Sequence, residues 1–353
     1  MIPYVREIQF EYGRCDQVSP LIRRVIARNP GPFTYTGTGV YIVGSGEVAV
    51  IDPGPEIAEH LDALLAALKG ERVTHILVTH HHLDHSPLAR PLADLTGATI
   101  YGRPAPSEPG EASRGPDASG GPEGAGLEEG ADGRFRPDVE LVDGQVLSGP
   151  GWTLDAITTP GHTSNHVCFG LKEENALFCG DHIMGWSTTV ITPPDGDMGD
   201  YFASLDKVKA RDFDTLWPTH GAPIREATPF IDAYIAHRRA REAQILDALA
   251  AGHGQIKAMV PVLYAAVDPR LHPAAAMSVL ASGLTLITDD PMDGRLEATG
   301  SSYWYGLVDD LVVRVRPDAA GARVDMRSIS REGGADLGRN CRRIEGLLTA
   351  IRG

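Results

Sequence analysis

Residue types that bind transition metals are concentrated in one short run of the chain, which reads Thr79, His80, His81, His82, Leu83, Asp84 and His85. The run follows an apolar stretch typical of a strand, and a loop after a rigid strand can turn ligands outward. Alternate residues of an extended chain share a face, so His80 and His82 can converge on one ion while His81 points away. Asp84 and His85 can then face a second ion. Imidazole and carboxylate ligands suit zinc and, less strictly, iron or manganese.

Three single candidate ligands lie downstream, and each follows a stretch with the composition of a strand. They are His162, Asp181 and His220. A chance cluster of histidines in a polar surface loop would not predict such partners. Five other histidines lack metal-ligand spacing and are expected to be structural, namely His60, His75, His237, His253 and His272.

The complete ligand pattern resembles that of the metallo-β-lactamase superfamily, in which a His-x-His-x-Asp-His motif and three later ligands form a two-metal site. The resemblance extends over roughly residues 30–225 and implies the α/β fold class, with an αββα sandwich. It also implies the division of the ligands between the metals. His80, His82 and His162 would hold one metal, Asp84, His85 and His220 would hold the other, and Asp181 would bridge both.

The resemblance further implies the chemistry of the site. Two metal ions about 3.5–4 Å apart can share a hydroxide, lower its proton affinity and polarise the bond that it attacks. We therefore expect two zinc ions, with iron or manganese as alternatives. The metal-bridging hydroxide is expected to attack an ester, thioester, lactone or amide-type bond of a small molecule. Asp84 is expected to be a ligand and also a catalytic residue that steers water or accepts a proton, with the role of a simple ligand as the alternative.

Four further residues are expected near the metals. Asp52 resembles the family's buried aspartate that braces the metal loop, which here is residues 79–85. An ordinary turn cap is the alternative interpretation. His166 and His182 are expected to orient ligands or to contact substrate, with a structural polar role as the alternative. Thr219 stands where relatives commonly carry glycine, which is expected to narrow the loop without abolishing metal binding.

Hydrophobic periodicity, with glycine and proline at the boundaries, predicts the elements that position these residues. The predicted strands are Gly39–Val43, Glu47–Ile51, Val73–Thr79, Ala98–Tyr101, Val139–Val146, Trp152–Ile157, Val167–Leu171 and Ala176–Cys179. The predicted helices are Pro55–Lys69, Met198–Ala210 and Pro229–Ala251. Between Arg103 and Pro137 large apolar residues are scarce, which predicts a mobile surface insertion. It is expected to flank the active site and gate substrate, with an inert loop as the alternative.

Two parts are predicted to follow a catalytic domain that spans residues 1–228. Residues 229–281 resemble a truncated form of the helical, winged-helix-like module of the lactamase-β-2-like branch. Residues 282–353 form an α+β segment that resembles the latter half of an uncharacterised bacterial domain family. The predicted helices of the module are Gln255–Val267 and Pro273–Leu280. The α+β segment is predicted to contain three strands and one helix. The strands are Arg295–Thr299, Leu311–Arg316 and Ala322–Ser328, and the helix is Leu337–Ile351.

Charge and composition restrict the possible partners. The formal net charge of −15 disfavours broad electrostatic binding of nucleic acid, so a small-molecule substrate is the leading expectation. The alternative is a metal-dependent endoribonuclease for single-stranded RNA, because animal relatives of this branch include one. The basic patch Arg238, Arg239 and Arg241 also suggests it, although a solvated helix face explains the patch too. A non-enzymatic role with a structural metal is disfavoured, because structural zinc sites are closed by four ligands.

The sequence predicts a cytoplasmic enzyme without membrane contact. No stretch reaches the roughly 18 apolar residues of a membrane helix, and the N-terminus lacks the apolar core of a signal peptide. An exported antibiotic β-lactamase is therefore disfavoured. The cysteines are scattered along the chain, which suits a reducing compartment; they are Cys15, Cys168, Cys179 and Cys341. The sequence leaves the oligomeric state open.

Overall fold

The structure is a computed structural model that describes residues 2–106, 130–192 and 195–252, together with the backbone of four strands between residues 285 and 330. The chain divides into two compact units, Met1–Arg241 and Glu242–Gly353. Several predicted features lie outside the described residues, namely the centre of the insertion, the three C-terminal helices and most of the helical module. The predicted domain boundaries at residues 228 and 281 stay predictions.

The described part of the first unit contains twelve strands and four α-helices. The strands are β1 (Cys15–Gln17), β2 (Ile22–Ile26), β3 (Gly39–Ser45), β4 (Glu47–Ile51), β5 (Arg72–Leu77), β6 (Thr99–Gly102), β7 (Val139–Glu140), β8 (Val146–Gly149), β9 (Trp152–Thr158), β10 (Val167–Leu171), β11 (Ala176–Gly180) and β12 (Thr215–Pro218). The helices are α1 (Ala58–Ala67), α2 (Ala89–Thr96), α3 (Met198–Lys209) and α4 (Ala227–Ala250). Helix α4 extends past the end of the first unit at Arg241.

The first sheet contains seven strands in the order β1-β2-β3-β4-β5-β6-β7. Strands β1 to β4 pair antiparallel, and β4 to β7 pair parallel. Strands β3 and β4 form a hairpin that turns at Gly46, whose φ of +78° suits glycine. Helix α1 connects β4 to the parallel strand β5, so both strands end at the same edge of the sheet.

The second sheet contains five strands in the order β12-β11-β10-β9-β8. Strands β8 to β11 pair antiparallel, and β11 and β12 pair parallel. The predicted single strand Val139–Val146 is wrong, because β7 belongs to the first sheet and β8 to the second. Gly144 has a φ of +75° between them, so the chain turns there and passes from one sheet to the other.

Side chains of the first sheet alternate between two cores. On one face, Val50 packs in a cluster with Leu64 of α1 and Leu92 of α2. On the other face, Ile51 packs in a cluster with Trp217 of the second sheet. Full burial of each such apolar side chain stabilises the fold by roughly 1.5–3 kcal/mol.

Helix α3 lies against the second sheet. Its residue Lys207 donates a 2.8 Å hydrogen bond to the carbonyl of Thr158 at the end of β9. Ser204 of the same helix donates a 2.7 Å hydrogen bond to the carbonyl of Pro160. The layers are therefore helix, sheet, sheet and helix, and the predicted αββα sandwich is confirmed.

Beyond the end of α4, the described part of the second unit is a four-stranded antiparallel sheet in the order β13-β14-β15-β16. Its strands are β13 (Thr285–Asp290), β14 (Arg295–Ser301), β15 (Val308–Asp318) and β16 (Gly321–Ser330). The three strands predicted here are confirmed, each longer than expected, and β13 was not predicted. Among the described residues, no helix has the length and apolar character that crossing a membrane requires.

Candidate metal centre

The predicted metal ligands lie where strands of the two sheets end. The run from His80 to His85 follows β5, His162 lies between β9 and β10, Asp181 follows β11, and His220 follows β12. Parallel neighbouring strands bring their carboxyl ends to one edge, as β4 and β5 do in one sheet and β11 and β12 in the other. Every ligand side chain is buried, with at most 7% of the residue exposed.

The seven residues form three overlapping groups in which the potential ligand atoms lie within 4.8 Å of one another. The groups are His80, His82 and His162; His80, His85 and Asp181; and Asp84, His85 and His220. One carboxylate oxygen of Asp181 lies 3.6 Å from Nε2 of His85 and 3.4 Å from Nε2 of His220. Its other oxygen lies 3.9 Å from Nε2 of His162. Asp181 thus reaches both ligand sets, as a bridging ligand must.

Several atoms that face this centre have no hydrogen-bond partner within the described residues. They are both carboxylate oxygens of Asp84, one of Asp181, and Nε2 of His85, His162 and His220. Leaving a buried polar atom unpaired costs about 1–3 kcal/mol, so such atoms are rare in folded proteins. Nε2 of His80 also faces Nδ1 of His82 at 3.0 Å. This set of converging lone pairs fits divalent cations, which would pair with all of them.

Burial and neighbouring charges set the protonation of these histidines. Burial lowers the pKa of His80 and His82 well below its usual value, and neighbouring imidazoles lower it further. Burial also opposes protonation of His85 and His220, but nearby carboxylates outweigh it and raise the pKa of both rings. The carboxylates therefore create a negative potential between the rings that a bound cation would neutralise.

Asp84 is a buried carboxylate that faces two of the predicted ligand rings. Burial would raise the pKa of this carboxyl, but His85 and His220 outweigh burial and lower the pKa well below its usual value. The oxygen Oδ2 lies 3.0 Å from Nε2 of His220 and 3.3 Å from Nε2 of His85. Asp84 therefore faces the two imidazoles with which it would share a cation, and both of its predicted roles stay predictions.

Asp52 is buried beneath the metal loop, where its carboxylate joins three segments of the chain. One oxygen accepts a hydrogen bond from the backbone N–H of Thr79 at 2.7 Å. The other accepts from the Thr79 hydroxyl at 2.8 Å, from Nδ1 of His85 at 2.9 Å and from the Thr219 hydroxyl at 3.0 Å. The bond to Nδ1 leaves Nε2 of His85 free to face the centre.

The hydroxyl of Thr219 gives a test of this brace. Thr219→Val preserves the shape of the side chain but removes the hydrogen bond to Asp52, and we expect the dissociation constant for Zn²⁺ to rise about tenfold. Thr219→Ser preserves the hydroxyl and is expected to bind Zn²⁺ like the wild type. Competition with a chromogenic chelator measures both constants. Equal affinities of the two variants would show that this hydroxyl does not support the metal loop.

Three further histidines near the predicted ligands, His166, His182 and His81, have different surroundings. The ring of His166 bonds the Thr159 hydroxyl through Nδ1 at 2.8 Å, and its Nε2 accepts the backbone N–H of Asp181 at 3.3 Å. His166 therefore orients a predicted ligand. His182 is fully buried with its ring centroid 5.0 Å from that of Tyr201, and burial lowers its pKa to about 3.

His81 lies outside the three ligand groups. Its Nδ1 lies 2.9 Å from Oδ1 of Asn165, in the turn that follows His162. The end of the predicted insertion also contacts the metal loop. The N–H of Leu83 donates to the carbonyl of Gly130, and the N–H of Asp132 donates to the carbonyl of His81, each at 2.7 Å.

Two backbone carbonyls orient ligands that the sequence identified only by their side chains. Nδ1 of His162 bonds the carbonyl of Val190 at 2.7 Å, and Nδ1 of His220 bonds the carbonyl of Gly37 at 3.2 Å. Both bonds require the proton on Nδ1 and leave Nε2 as the free ligand atom. No sequence signal marks these acceptors, because every residue carries a carbonyl.

The predicted basic patch on α4 needs a correction. Arg238 is only 7% exposed, and its guanidinium donates to the carbonyl of Thr189 and lies over the ring of Tyr201. It therefore belongs neither to a solvated helix face nor to a surface that could bind RNA. Arg239 is exposed and Arg241 is half-buried.

Comparison with protein-family models gives two matches. Residues 35–220 match the model of the metallo-beta-lactamase superfamily, and this range contains all seven predicted ligands. Residues 237–351 match a model described as a protein of unknown function, DUF1499. The second match begins well before residue 282, so it also covers residues 237–281, which were predicted to belong to a truncated winged-helix-like module.

Curated relatives cover about two thirds of the chain. A beta-lactamase-like protein 2 homolog from Caenorhabditis elegans is 32% identical over 242 residues, which cover 66% of this chain and 72% of the relative. An atrochrysone carboxyl ACP thioesterase from Claviceps purpurea is 34% identical over 238 residues, which cover 66% of this chain and 67% of the relative. Relatives of similar sequence identity therefore carry different names, one a beta-lactamase-like protein and the other a thioesterase.

Solved structures agree on the fold. A beta-lactamase domain protein from Burkholderia ambifaria aligns with a TM-score of 0.64 at 20% identity, over 80% of this chain and 93% of that one. A metallo-beta-lactamase family protein from Thermus thermophilus aligns with a TM-score of 0.58 at 23% identity, over 77% and 97%. The matched family, the fold and the grouped His and Asp side chains lead to one conclusion. The chain belongs to the metallo-β-lactamase superfamily and is a metal-dependent hydrolase.

Proposed function

We propose that the chain hydrolyses the thioester bond of a small acyl substrate with the help of two divalent cations. The observation that carries the proposal is the convergence of buried, unpaired ligand atoms on one centre. Zinc is the expected metal, because imidazole nitrogens predominate among the ligands, and iron and manganese are the alternatives. His80, His82 and His162 would hold one cation, Asp84, His85 and His220 the other, and Asp181 both.

The bound cations would supply Lewis acidity, which lowers the pKa of water and polarises a substrate carbonyl. The chain itself determines where each ligand atom points. Asp52 orients His85, and backbone carbonyls orient His162 and His220. The ligands are almost fully buried, so their charges act in surroundings of low dielectric constant and need no rearrangement during the reaction.

Two considerations favour a thioester among the bonds that such a site could hydrolyse. Relatives that are 34% identical over two thirds of the chain are named as thioesterases. A thiol with a pKa of about 8.5 also leaves readily as a thiolate, whereas the amine of an amide must be protonated as it leaves.

A substrate panel tests the proposal. Purified protein, stripped with a chelator and reloaded with Zn²⁺, Mn²⁺ or Fe²⁺, is assayed on thioesters and oxygen esters with the same acyl groups. The panel also contains a lactone, a β-lactam and single-stranded RNA. We expect kcat/KM for the thioesters to exceed that for the matched oxygen esters at least about tenfold, and activity to disappear on stripping and return with metal.

Two other outcomes would contradict the proposal. Thioester cleavage that survives complete removal of metal would exclude the metal centre as the catalyst. Metal-dependent cleavage of RNA without thioester cleavage would favour the ribonuclease alternative. The burial of Arg238 already removes one of the three arginines that suggested RNA.

A further inference from the structure

One loop, residues 182–190, contacts two of the predicted ligands. The Thr189 hydroxyl donates a 2.8 Å hydrogen bond to the backbone carbonyl of Asp181. The next residue, Val190, accepts the 2.7 Å bond from Nδ1 of His162. Thr189 is only 2% exposed. The position of loop 182–190 therefore determines both the backbone of the predicted bridging ligand and the direction of the His162 ring.

Tyr234 of helix α4 holds this loop at three points. Its hydroxyl accepts hydrogen bonds from the N–H groups of Thr189, at 2.8 Å, and Met184, at 3.4 Å. The same hydroxyl donates to the carbonyl of Ser187 at 2.9 Å. Tyr234 is fully buried, so water does not compete for these bonds.

Arg238 lies four residues further along α4, on the same face of the helix. Its guanidinium donates to the carbonyl of Thr189. The guanidinium carbon lies 5.4 Å from the ring centroid of Tyr201, whose hydroxyl donates to the carbonyl of His182 at 2.6 Å. Tyr234 and Arg238 thus bind Thr189 through its N–H and its carbonyl, respectively.

We infer that Tyr234 and Arg238 are positioning residues for the metal centre, acting through Thr189 and Val190. Neither residue is a ligand in this inference, which rests on the proposed metal centre. Groups that orient metal ligands typically contribute 10–100-fold to metal affinity. Helix α4 therefore contributes to metal binding although none of its own side chains belongs to a ligand group among the described residues.

Tyr234→Phe tests the inference most directly. It removes the hydroxyl and retains the ring, which stacks on Phe230 with centroids 5.7 Å apart. We expect the dissociation constant for Zn²⁺, measured by chelator competition, to rise about 10–100-fold. The visible absorption of the Co²⁺-loaded protein should also change, since it reports ligand geometry. Thr189→Val removes the hydroxyl that bonds the carbonyls of Asp181 and His182 and contacts the Tyr234 hydroxyl. It should show the same effect even if Tyr234→Phe fails to fold.

Conservative and control variants distinguish positioning from mere structural support. Arg238→Lys retains a cationic donor and should preserve more Zn²⁺ affinity than Arg238→Met. Ile231→Val removes a buried methyl group from α4 and should lower the unfolding midpoint without changing Zn²⁺ affinity or the Co²⁺ spectrum.

The inference is overturned if Tyr234→Phe, Thr189→Val and Arg238→Met bind Zn²⁺ as the wild type does while the midpoint of the metal-free protein falls. Those contacts would then be structural alone. A wild-type protein that binds neither Zn²⁺ nor Co²⁺ would instead refute the proposed function, and this inference with it.

Discussion

Asp181→Asn is expected to lose most of its bound metal and to slow hydrolysis about a thousandfold or more. The carboxylate presents one oxygen to His85 and His220 and the other to His162, and a neutral amide cannot replace both. Losing several kcal/mol of transition-state stabilisation corresponds to a factor of this size. Elemental analysis of the purified variant and kcat/KM on the best substrate of the panel measure the two effects.

The fold of this variant should survive, because the backbone of Asp181 keeps its bonds to His166 and Thr189. A suitable control is Asp143→Asn, which changes a surface carboxylate that pairs with Lys207 at 2.7 Å. The control should retain full metal content and activity. Wild-type metal content in Asp181→Asn would rule this residue out as a ligand.

Asp52→Ala is expected to have the largest effect on stability. Its carboxylate accepts four hydrogen bonds from Thr79, His85 and Thr219, and alanine would leave these buried donors unpaired. Removing one partner of such a buried polar network costs about 3–5 kcal/mol. Asp52 also has a φ of +48°, a conformation that alanine adopts less readily than aspartate or asparagine. Denaturant unfolding of the metal-free protein measures the loss.

Asp52→Asn separates the contribution of the carboxylate's hydrogen bonds from that of the backbone conformation at residue 52. Asparagine tolerates the same backbone conformation and keeps one acceptor oxygen, so its free energy of unfolding should lie between those of the wild type and Asp52→Ala. If Asp52→Ala unfolds at the wild-type denaturant concentration, Asp52 is an ordinary turn cap and the brace interpretation is wrong.

The ligand set could be predicted because each ligand has a distinctive side chain. His80, His82 and Asp84 follow a strand at spacings that suit metals, and the single later ligands follow other strands. The sequence could not predict which atoms orient them. The carbonyls of Val190 and Gly37 carry no side-chain signature, and Arg238 was interpreted from its basic neighbours although α4 turns it towards Thr189.

The fold was predictable wherever apolar periodicity extended over enough residues. Helix α3 and strand β10 agree with their predictions to within a residue or two. Helix α2 was missed because it has only eight residues, contains Pro91, and has no side-chain cap at its first turn. Strand β2 was missed because arginines at positions 23 and 24 interrupt its apolar pattern, yet Arg24 is only 5% exposed. In both cases tertiary packing outweighs the local signal.

The proposed ligands come from both sheets, with four in the loop after β5 and three in loops of the second sheet. Cations bound by these ligands would link the two sheets of the sandwich, much as a disulfide links distant segments of a chain. A species that binds only the folded chain adds about 2.7 kcal/mol of stability at a free concentration one hundred times its dissociation constant. In a cell deprived of metal, the protein would therefore lose stability as well as catalytic activity. The metal-free chain would unfold more often and be degraded sooner by proteases.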